Sequence, residues 1–405
     1  MWCALVGMTA TAQSGNNDQP TVQLHVGNDP ERVTVHIQTT SNPDSPFALA
    51  LGLTASGKSL IPTPHEWASW QNTTMLSPTV SVDNTSQSPG KARVALQAHA
   101  EGFKAVRLEA PAVNESRGYA RSVALVETAE GGSYLFDCFN CSGGRMHTYT
   151  LHALPGIMAI QGIAPLPTPP FLTDSPLRNY RTATRSTPGW IADWQLETGD
   201  NPRHLRYTGL TDYADVTVAE SPAQDVAATT TQWVPWIFVQ RHISKPDLDS
   251  TFIGIMEPYR GRPAIASARR LPLETMNGRA LPESFTGVEI SFNSVYTDVL
   301  LLSNGTAGSE VMEPFHRIHF AGAFAWIRFH GSLPVRIVAC NAAFIKIGDV
   351  SISTASPDEV LELDYDPQGA RVLQGKTPSI YYGAEKVTIL PGTHSVDSRK
   401  NPAAQ

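Results

Sequence analysis

The sequence predicts an all-β fold in which large antiparallel sheets pack face to face, as in a very large sandwich. Short segments rich in β-branched and aromatic residues recur along the chain, often about 8 to 15 residues apart. Clusters of Gly, Pro, Asn, Asp and Ser separate them, and Gly and Pro number 30 and 31 among the 405 residues. No long window has the i, i+3, i+4, i+7 periodicity of an amphipathic helix. The pattern therefore favours packed sheets over helical or mixed architectures.

The strand-like segments form two series separated by a Pro-rich connection at 162–176. The first series comprises TVQLHV (21–26), RVTVHI (32–37), FALALGL (47–53), RVALQA (93–98), SVALVE (122–127), SYLFDCF (133–139) and HTYTLH (147–152). The second series, between 236 and 391, comprises WIFVQRHI, TFIGIMEP, GVEISF, TDVLLL, FAWIRF, VRIVAC and KVTILP. Turn-forming residues bound these segments, as expected of antiparallel strands.

The two series suggest how the chain is organised. We predict a first sandwich part (1–160), a Pro-rich connection with an irregular segment (161–232), a second sandwich part (233–350), and a small C-terminal β unit with a tail (351–405). The connection either separates two domains or is a long excursion between strands of one large sandwich. No repeat of fixed period stands out, which disfavours a propeller or a solenoid.

Charge and hydropathy exclude several classes of partner. The net charge is −7 and there is no block of Lys and Arg, so the sequence offers no electrostatic basis for binding nucleic acid. No apolar run reaches the roughly 18 residues that span a bilayer, so no membrane span is expected. Residues Trp2 to Met8 are apolar and Ala10-Thr11-Ala12 resembles a signal-peptidase site, but a basic region is missing. We therefore expect the chain to begin inside a domain.

The cysteines do not predict a metal or disulfide framework. Four cysteines are few for this length, and the only CxxC motif is formed by Cys138 and Cys141. In a strand this odd spacing directs the two thiols to opposite faces of the sheet. We expect both to be small buried residues.

One run of residues resembles a known family. Gly118-Tyr119-Ala120-Arg121-Ser122, Tyr134-Leu135-Phe136-Asp137, Gly143-Gly144 and His147-Thr148-Tyr149-Thr150-Leu151-His152 occur in the order of a motif run in heparinase II/III-like polysaccharide lyases. In that family the run belongs to the β-sandwich half of the protein. Matches at Gln13-Ser14-Gly15, at Val80-Ser81-Val82-Asp83 with Gln87, and from Thr251 to Tyr259 extend the resemblance to about residues 10–350.

The resemblance implies a bacterial, periplasmic or extracellular protein that acts on uronate-containing polysaccharides, such as glycosaminoglycans or alginate, by β-elimination. In such lyases an α/α toroid supplies a Tyr acid/base and groups that neutralise the carboxylate, and the sandwich adds a His. This sequence shows no toroid. We therefore expect a catalytically incomplete module that binds an acidic polysaccharide or has a structural role. The alternative is one part of an active lyase whose toroid is on a separate chain.

The resemblance also implies a structural zinc ion held by two His and one Asp, and here the sequence departs from the family. At the family's H-G-H-x-D position the chain reads Thr40-Ser41-Asn42-Pro43-Asp44, so only the aspartate remains. At the family's H-N-T-V-x-V-D-G position, Ser77 replaces the histidine. Hydroxyl and amide groups do not replace imidazole as zinc ligands, so we expect no metal and no cofactor.

The candidate catalytic residues are His147 and Tyr149. On a strand they point to one face, and His152 points to the other. One interpretation is that this face presents a His/Tyr pair to a sugar or to a proton-transfer path. The other is that these are hydrogen-bonded sheet residues that fix the sandwich.

The candidate substrate-binding residues are Trp67 and Trp70, in HEWASWQNT, and Arg260 and Arg262, in YRGRPAIASARR. Paired tryptophans of an all-β protein either pack in cores and turns or form a platform on which a sugar stacks. The arginines either bind a uronate carboxylate through the bidentate geometry of guanidinium or lie on a solvated strand edge.

Overall fold

The computed structural model describes part of the chain, and all statements on structure below refer to that part. It comprises residues 21–27, 32–41, 48–62, 73–110, 117–173, 175–223, 232–245, 247–303, 309–354, 360–366, 369–375, 379–382 and 385–388.

The described residues form antiparallel strands with a single 3-10 turn at Thr74–Leu76. Up to residue 260 the strands are β1 (Thr21–Val26), β2 (Val33–Gln38), β3 (Thr40–Ser41), β4 (Leu51–Ala55), β5 (Lys58–Ile61), β6 (Val80–Val82), β7 (Gly90–Lys91), β8 (Arg93–Ala100), β9 (Phe103–Glu109), β10 (Gly118–Glu127), β11 (Ser133–Ser142), β12 (Met146–His152), β13 (Ile157–Gln161), β14 (Leu166–Pro167), β15 (Arg178–Ser186), β16 (Trp190–Gln195), β17 (Arg203–Gly209), β18 (Ala214–Ala223), β19 (Gln232–His242) and β20 (Asp249–Arg260). The strands that follow are β21 (Ile265–Leu271), β22 (Thr286–Phe292), β23 (Tyr296–Leu302), β24 (Glu310–Glu313), β25 (Ile318–Ala321), β26 (Phe324–His330), β27 (Leu333–Cys340), β28 (Phe344–Ile347), β29 (Val350–Ser353), β30 (Val360–Asp366), β31 (Gly369–Gln374), β32 (Ser379–Tyr382) and β33 (Glu385–Thr388).

The larger sheets are stacked in layers. A central eight-stranded sheet has the order β13-β16-β17-β20-β11-β10-β9-β8. One of its faces shares a hydrophobic cluster with the outer six-stranded sheet, β14-β15-β18-β19-β12-β6, and with the four-stranded sheet β1-β2-β4-β5. Its other face packs on the seven-stranded sheet β21-β22-β23-β26-β27-β30-β31. That sheet packs in turn on the C-terminal six-stranded sheet, β24-β25-β28-β29-β32-β33.

The stacking explains the sequence pattern of the inner strands. In β10, Val123 and Leu125 face the outer sheets, whereas Ala124 and Val126 face the seven-stranded sheet. A strand segment that is buried on both faces, such as Val123–Val126, reads as a continuous apolar run instead of an alternation. The predicted all-β fold of packed antiparallel sheets is confirmed, and the described residues contain no helical toroid. They also contain no helix that is long and apolar enough to cross a membrane.

The structure corrects the prediction of an irregular segment at 161–232. This region contributes β14, β15 and β18 to the outer six-stranded sheet, and β16 and β17 to the central sheet. Strand β15 has the sequence RNYRTATRS, of which only Tyr180 and Ser186 are buried. Its exposed polar residues hide the apolar alternation by which strands are recognised.

The described residues beyond 350 form β-strands, as predicted. They complete existing sheets: β30 and β31 extend the seven-stranded sheet, and β29, β32 and β33 extend the C-terminal six-stranded sheet. How the chain divides into domains stays a prediction.

The cysteine pair lies as the strand spacing predicts. Cys138 belongs to the cluster between the central and seven-stranded sheets, and Cys141 belongs to the cluster on the other face. Burial raises the pKa of the Cys138 thiol to about 11, and that of Cys141 as well. Neither thiol is therefore ionised at neutral pH.

Candidate functional site

His147 lies on β12 with its ring between the outer and central sheets, and it is fully buried. Its Nε2 is 2.6 Å from the carbonyl oxygen of Gly143, and its Nδ1 is 2.8 Å from Ser250 Oγ. A carbonyl oxygen only accepts hydrogen bonds, so Nε2 carries the proton and Nδ1 accepts from the serine. Burial lowers the pKa of His147. The ring is therefore neutral, and both of its nitrogens are engaged within the protein.

Tyr149 points to the same side and joins a buried ion pair. Its hydroxyl donates to Asp137 Oδ2 at 2.9 Å, and Arg121 donates to both oxygens of the same carboxylate at 2.8 and 2.6 Å. Arg121 also donates from Nη1 to the carbonyl oxygens of Leu49 and Pro78. Burial raises the pKa of Tyr149 well above its usual value. This arrangement ties the layers together, and no member of it reaches solvent.

His152 lies on the opposite face, as the strand spacing predicts. Its ring stacks on Trp236 with centroids 3.9 Å apart, on the outward side of the outer sheet. Burial lowers the pKa of His152 to about 4. The three conspicuous residues of the HxYxxH motif therefore do not converge on one pocket.

Arg260 and Arg262, by contrast, line one cleft of about 730 Å³, together with Arg203, Glu257 and Tyr259. We call it the arginine cleft. It lies at the end of the central sheet, where the residues after β20 turn back toward β21. The turn between β10 and β11 forms another wall.

The three arginines of this cleft are held differently. Arg260 donates to Glu197 Oε2 and to the carbonyl oxygen of Asn201, both at 2.6 Å. Arg203 is buried and donates to the carbonyl oxygen of Ala55 at 2.7 Å. Arg262 is exposed, and within the described residues it makes no ion pair. Arg262 is thus the guanidinium of the cleft that is most available to a ligand.

The later arginines of the same stretch are occupied elsewhere. Arg269 forms a bidentate pair with Glu289 at 2.7 and 2.8 Å, and Arg270 Nη1 lies 3.3 Å from Asp212 Oδ2. The basic stretch therefore does not act as a single patch.

Glu257 is a buried carboxyl group of the cleft lining, with 3% of its surface exposed. Its Oε1 accepts the backbone N–H groups of Ala264 at 2.5 Å and Ile265 at 3.1 Å. Its Oε2 is buried and has no hydrogen-bond partner among the described residues. Burial raises the pKa of Glu257 to about 7, an effect that the two backbone hydrogen bonds and Arg206 oppose.

Next to the cleft, three side chains of β16, β17 and β20 form a connected group. Asp193 Oδ1 lies 2.7 Å from His204 Nδ1, and Tyr259 donates its hydroxyl proton to Asp193 Oδ2 at 2.6 Å. The His204 and Tyr259 rings stack with centroids 4.7 Å apart. A carboxylate on Nδ1 fixes the orientation of an imidazole and leaves Nε2 for other partners.

Two residues at the family's zinc position, Ser77 and Asp83, make hydrogen bonds to the backbone. Ser77 donates its hydroxyl to the carbonyl oxygen of Thr73 at 2.9 Å, and Asp83 Oδ1 accepts the N–H groups of Arg145 and Met146. Within the ranges that the structure describes, no three His, Cys, Asp or Glu residues are grouped to hold a metal. Asp44 lies outside those ranges, as do the candidate substrate-binding residues Trp67 and Trp70.

Comparisons with known proteins find similar chains only among solved structures. No family model and no curated protein matches the sequence. Among solved structures, heparan sulfate lyase HepC from Pedobacter heparinus is 12% identical, with a TM-score of 0.45, 73% of this chain covered and 43% of that chain covered. One heparinase III is 10% identical, with a TM-score of 0.47 and coverages of 71% and 42%. Another is 11% identical, with a TM-score of 0.43 and coverages of 69% and 42%.

The family that the sequence resembles thus recurs among the structural neighbours. The chain spans less than half the length of those neighbours.

Sequence reasoning missed several residues of the cleft and its surroundings. Three of them, Asp193, Arg203 and His204, lie in the region predicted to be irregular. Without predicted strands there, the sequence could not indicate which of these side chains are neighbours. Glu257 carried a usable signal, because it is a lone acidic residue at the end of the apolar run TFIGIM.

Proposed function

We propose that this chain is a β-sandwich module of the polysaccharide-lyase type that binds an acidic polysaccharide and does not cleave it unaided. The observation that carries the proposal is the arginine cleft. Arg203, Arg260 and Arg262 line it together with Glu130 and Glu257, and Glu197 pairs with both Arg203 and Arg260, so Arg262 supplies the guanidinium that no described carboxylate pairs with. Burial raises the pKa of Glu257 and so favours its neutral form, which reduces the negative charge of the cleft lining.

The chemistry of guanidinium supports an anionic ligand. Arg262 is unpaired within the described residues, and its planar fork matches a carboxylate or a sulfate. Tyr259 adds a partly exposed aromatic ring to the same wall. Because the overall charge repels a polyanion at long range, binding relies on local contacts and should weaken with salt.

The buried state of His147 and Tyr149 supports the absence of unaided cleavage. β-Elimination needs a base that reaches the proton next to the carboxylate, with donors that stabilise the developing charge. Both ring nitrogens of His147 form hydrogen bonds within the protein, and the Tyr149 hydroxyl donates to Asp137. We propose that these residues fix the sandwich, and that the module functions without zinc.

An anionic-glycan array combined with a lyase assay tests this proposal. The expected result is salt-sensitive binding of acidic glycans that Arg262→Ala weakens, without the ultraviolet absorbance of an unsaturated uronate product. Arg181→Ala is the matched control, because Arg181 is exposed and lies outside the cleft lining. Turnover of any uronan by this chain alone, abolished by His147→Ala, would overturn the proposal.

A second candidate is one part of an active lyase whose toroid is on a separate chain. The orientation of His204 by Asp193, next to the arginine cleft, favours it, because such a pair can position a base. A neighbouring gene for a chain of helical hairpins would supply the partner. Mixing the two chains should then produce the unsaturated product, and His204→Ala should abolish it while glycan binding persists.

A further inference from the structure

A second cleft, of about 500 Å³, lies at one end of the outer six-stranded sheet. The end of β15, the start of β18 and the end of β19 meet there. Its lining includes Arg185, Tyr213, Asp215, Gln240 and His242, none of which belongs to the arginine cleft. We call it the Tyr213 cleft.

Tyr213 presents its ring to solvent from a strained backbone. The side chain is 75% exposed, and its φ is +50°. A bulky residue in the left-handed region costs free energy that glycine would avoid, and such strain concentrates at ligand sites. Since the exposed ring contributes little to a core, packing does not account for a tyrosine at this position.

Arg185 is presented by a second irregularity beside it. The pairing of β15 with β18 shifts register between Ala183 and Ser186, and Arg185 has a φ of +49°. Its backbone N–H donates to Asp215 Oδ1 at 2.8 Å, which holds this bulge in place. The Arg185 side chain is exposed and makes no ion pair in the part of the chain that the structure describes. Bulges of this kind commonly redirect a side chain toward a site.

Polar groups complete the cleft. Gln240 is 9% exposed and donates from Nε2 to Thr148 Oγ1 at 3.2 Å, so its amide is fixed. His242 is largely exposed, with Nδ1 4.0 Å from Asp215 Oδ2. These side chains offer both donors and acceptors to hydroxyl groups.

We propose that the Tyr213 cleft binds a pyranose ring that bears an anionic group. The apolar face of the ring stacks on Tyr213, the anion pairs with Arg185, and the hydroxyls bind Asp215 and His242. A flat aromatic ligand would use the tyrosine but not this set of hydroxyl partners. The inference takes the class of ligand, an acidic sugar, from the proposed function. The site itself is independent of it, because the two clefts share no residue.

The test is calorimetric titration of the full chain with three oligosaccharides. An alginate tetrasaccharide carries carboxylates, a carrageenan tetrasaccharide carries sulfates, and cellotetraose is neutral. Tyr213→Ala should weaken binding of the anionic sugars about tenfold or more, whereas Tyr213→Phe should retain it. Arg185→Gln should weaken the alginate and carrageenan complexes, and Arg181→Gln, on the same strand, should leave them unchanged. The stronger of the two anionic ligands identifies the preferred group.

The variant Tyr213→Gly tests whether Tyr213 serves ligand binding or the stability of the fold. Glycine relieves the positive φ, so this variant should unfold at a higher urea concentration while losing affinity. Unchanged affinity in both Tyr213→Ala and Arg185→Gln would overturn the inference. If Arg262→Ala abolishes binding and Tyr213→Ala does not, the sugar binds in the arginine cleft alone. If Tyr213→Ala abolishes binding and Arg262→Ala does not, the sugar binds in the Tyr213 cleft alone. An absence of binding by all three sugars would overturn both.

Discussion

Replacement of Glu257 by Gln should change the pH dependence of stability in a defined direction. The amide oxygen of Gln can keep the hydrogen bonds from Ala264 and Ile265, so the main change is the loss of a titrating group. Burial raises the pKa of Glu257 from 4.5 to about 7 in the folded chain. The folded state therefore binds this proton more tightly than the unfolded state does, and ionisation at higher pH opposes folding.

The magnitude follows from the size of this change. One pKa unit corresponds to about 1.4 kcal/mol, so the rise at Glu257 corresponds to roughly 3 kcal/mol. Below pH 4.5 the group is protonated in both states, and its contribution to stability is fully present. That contribution is lost as the pH rises through about 7. Relative to the wild type, Glu257→Gln should therefore gain up to about 3 kcal/mol between acidic and mildly alkaline pH.

Urea unfolding of both proteins across this pH range measures the effect. The difference between the two proteins is the informative quantity, since other groups titrate as well. His152, with a pKa lowered to about 4, acts in the opposite direction, because its contribution is present above pH 6.5 and is lost as the pH falls. Ser133→Ala, in the same cleft, removes no titrating group and should differ from the wild type by a constant amount. A constant difference for Glu257→Gln as well would refute the reasoning.

Four further predictions concern the core and the metal. Asp137→Ala leaves Arg121 charged and buried, and should lower the free energy of unfolding by about 3–5 kcal/mol. Tyr149→Phe removes one hydrogen bond to that carboxylate and should cost about 1.5–3 kcal/mol; an equal cost for both variants in urea titrations would contradict the assigned geometry. Gly254→Ala would place a Cβ 2.1 Å from the Tyr207 ring, so its melting temperature should fall clearly below that of the wild type. The purified chain should contain no stoichiometric zinc by elemental analysis, and a chelator should leave its melting temperature unchanged.

The sequence predicts strands best where burial and periodicity agree. Strand β1 coincides with the predicted segment TVQLHV, and β12 with HTYTLH to within one residue. Strand β15 was not predicted, because Arg and Thr residues separate its two buried residues, Tyr180 and Ser186. The layer order also lay beyond sequence reasoning, since pairings such as β11 with β20 join segments far apart in the chain.

The candidate site could also be predicted only in part from the sequence. The motif run located His147, Tyr149 and their shared face, but the sequence could not show that their hydrogen bonds end inside the protein. It identified Arg260 and Arg262 by local charge. It did not identify Tyr213, because an isolated aromatic residue next to Asp212 has no periodic partner and its positive φ is visible only in the backbone.

The position of β20 in the central sheet has a consequence for biosynthesis. Strand β11 is hydrogen-bonded to β10 on one side and to β20 on the other, and β20 begins at residue 249. A nascent chain that has released β11 from the ribosome therefore exposes an unpaired apolar strand edge until more than a hundred further residues have emerged. Two fragments separated within 162–176 should each aggregate when produced alone, and should regain β structure only when they are synthesised together.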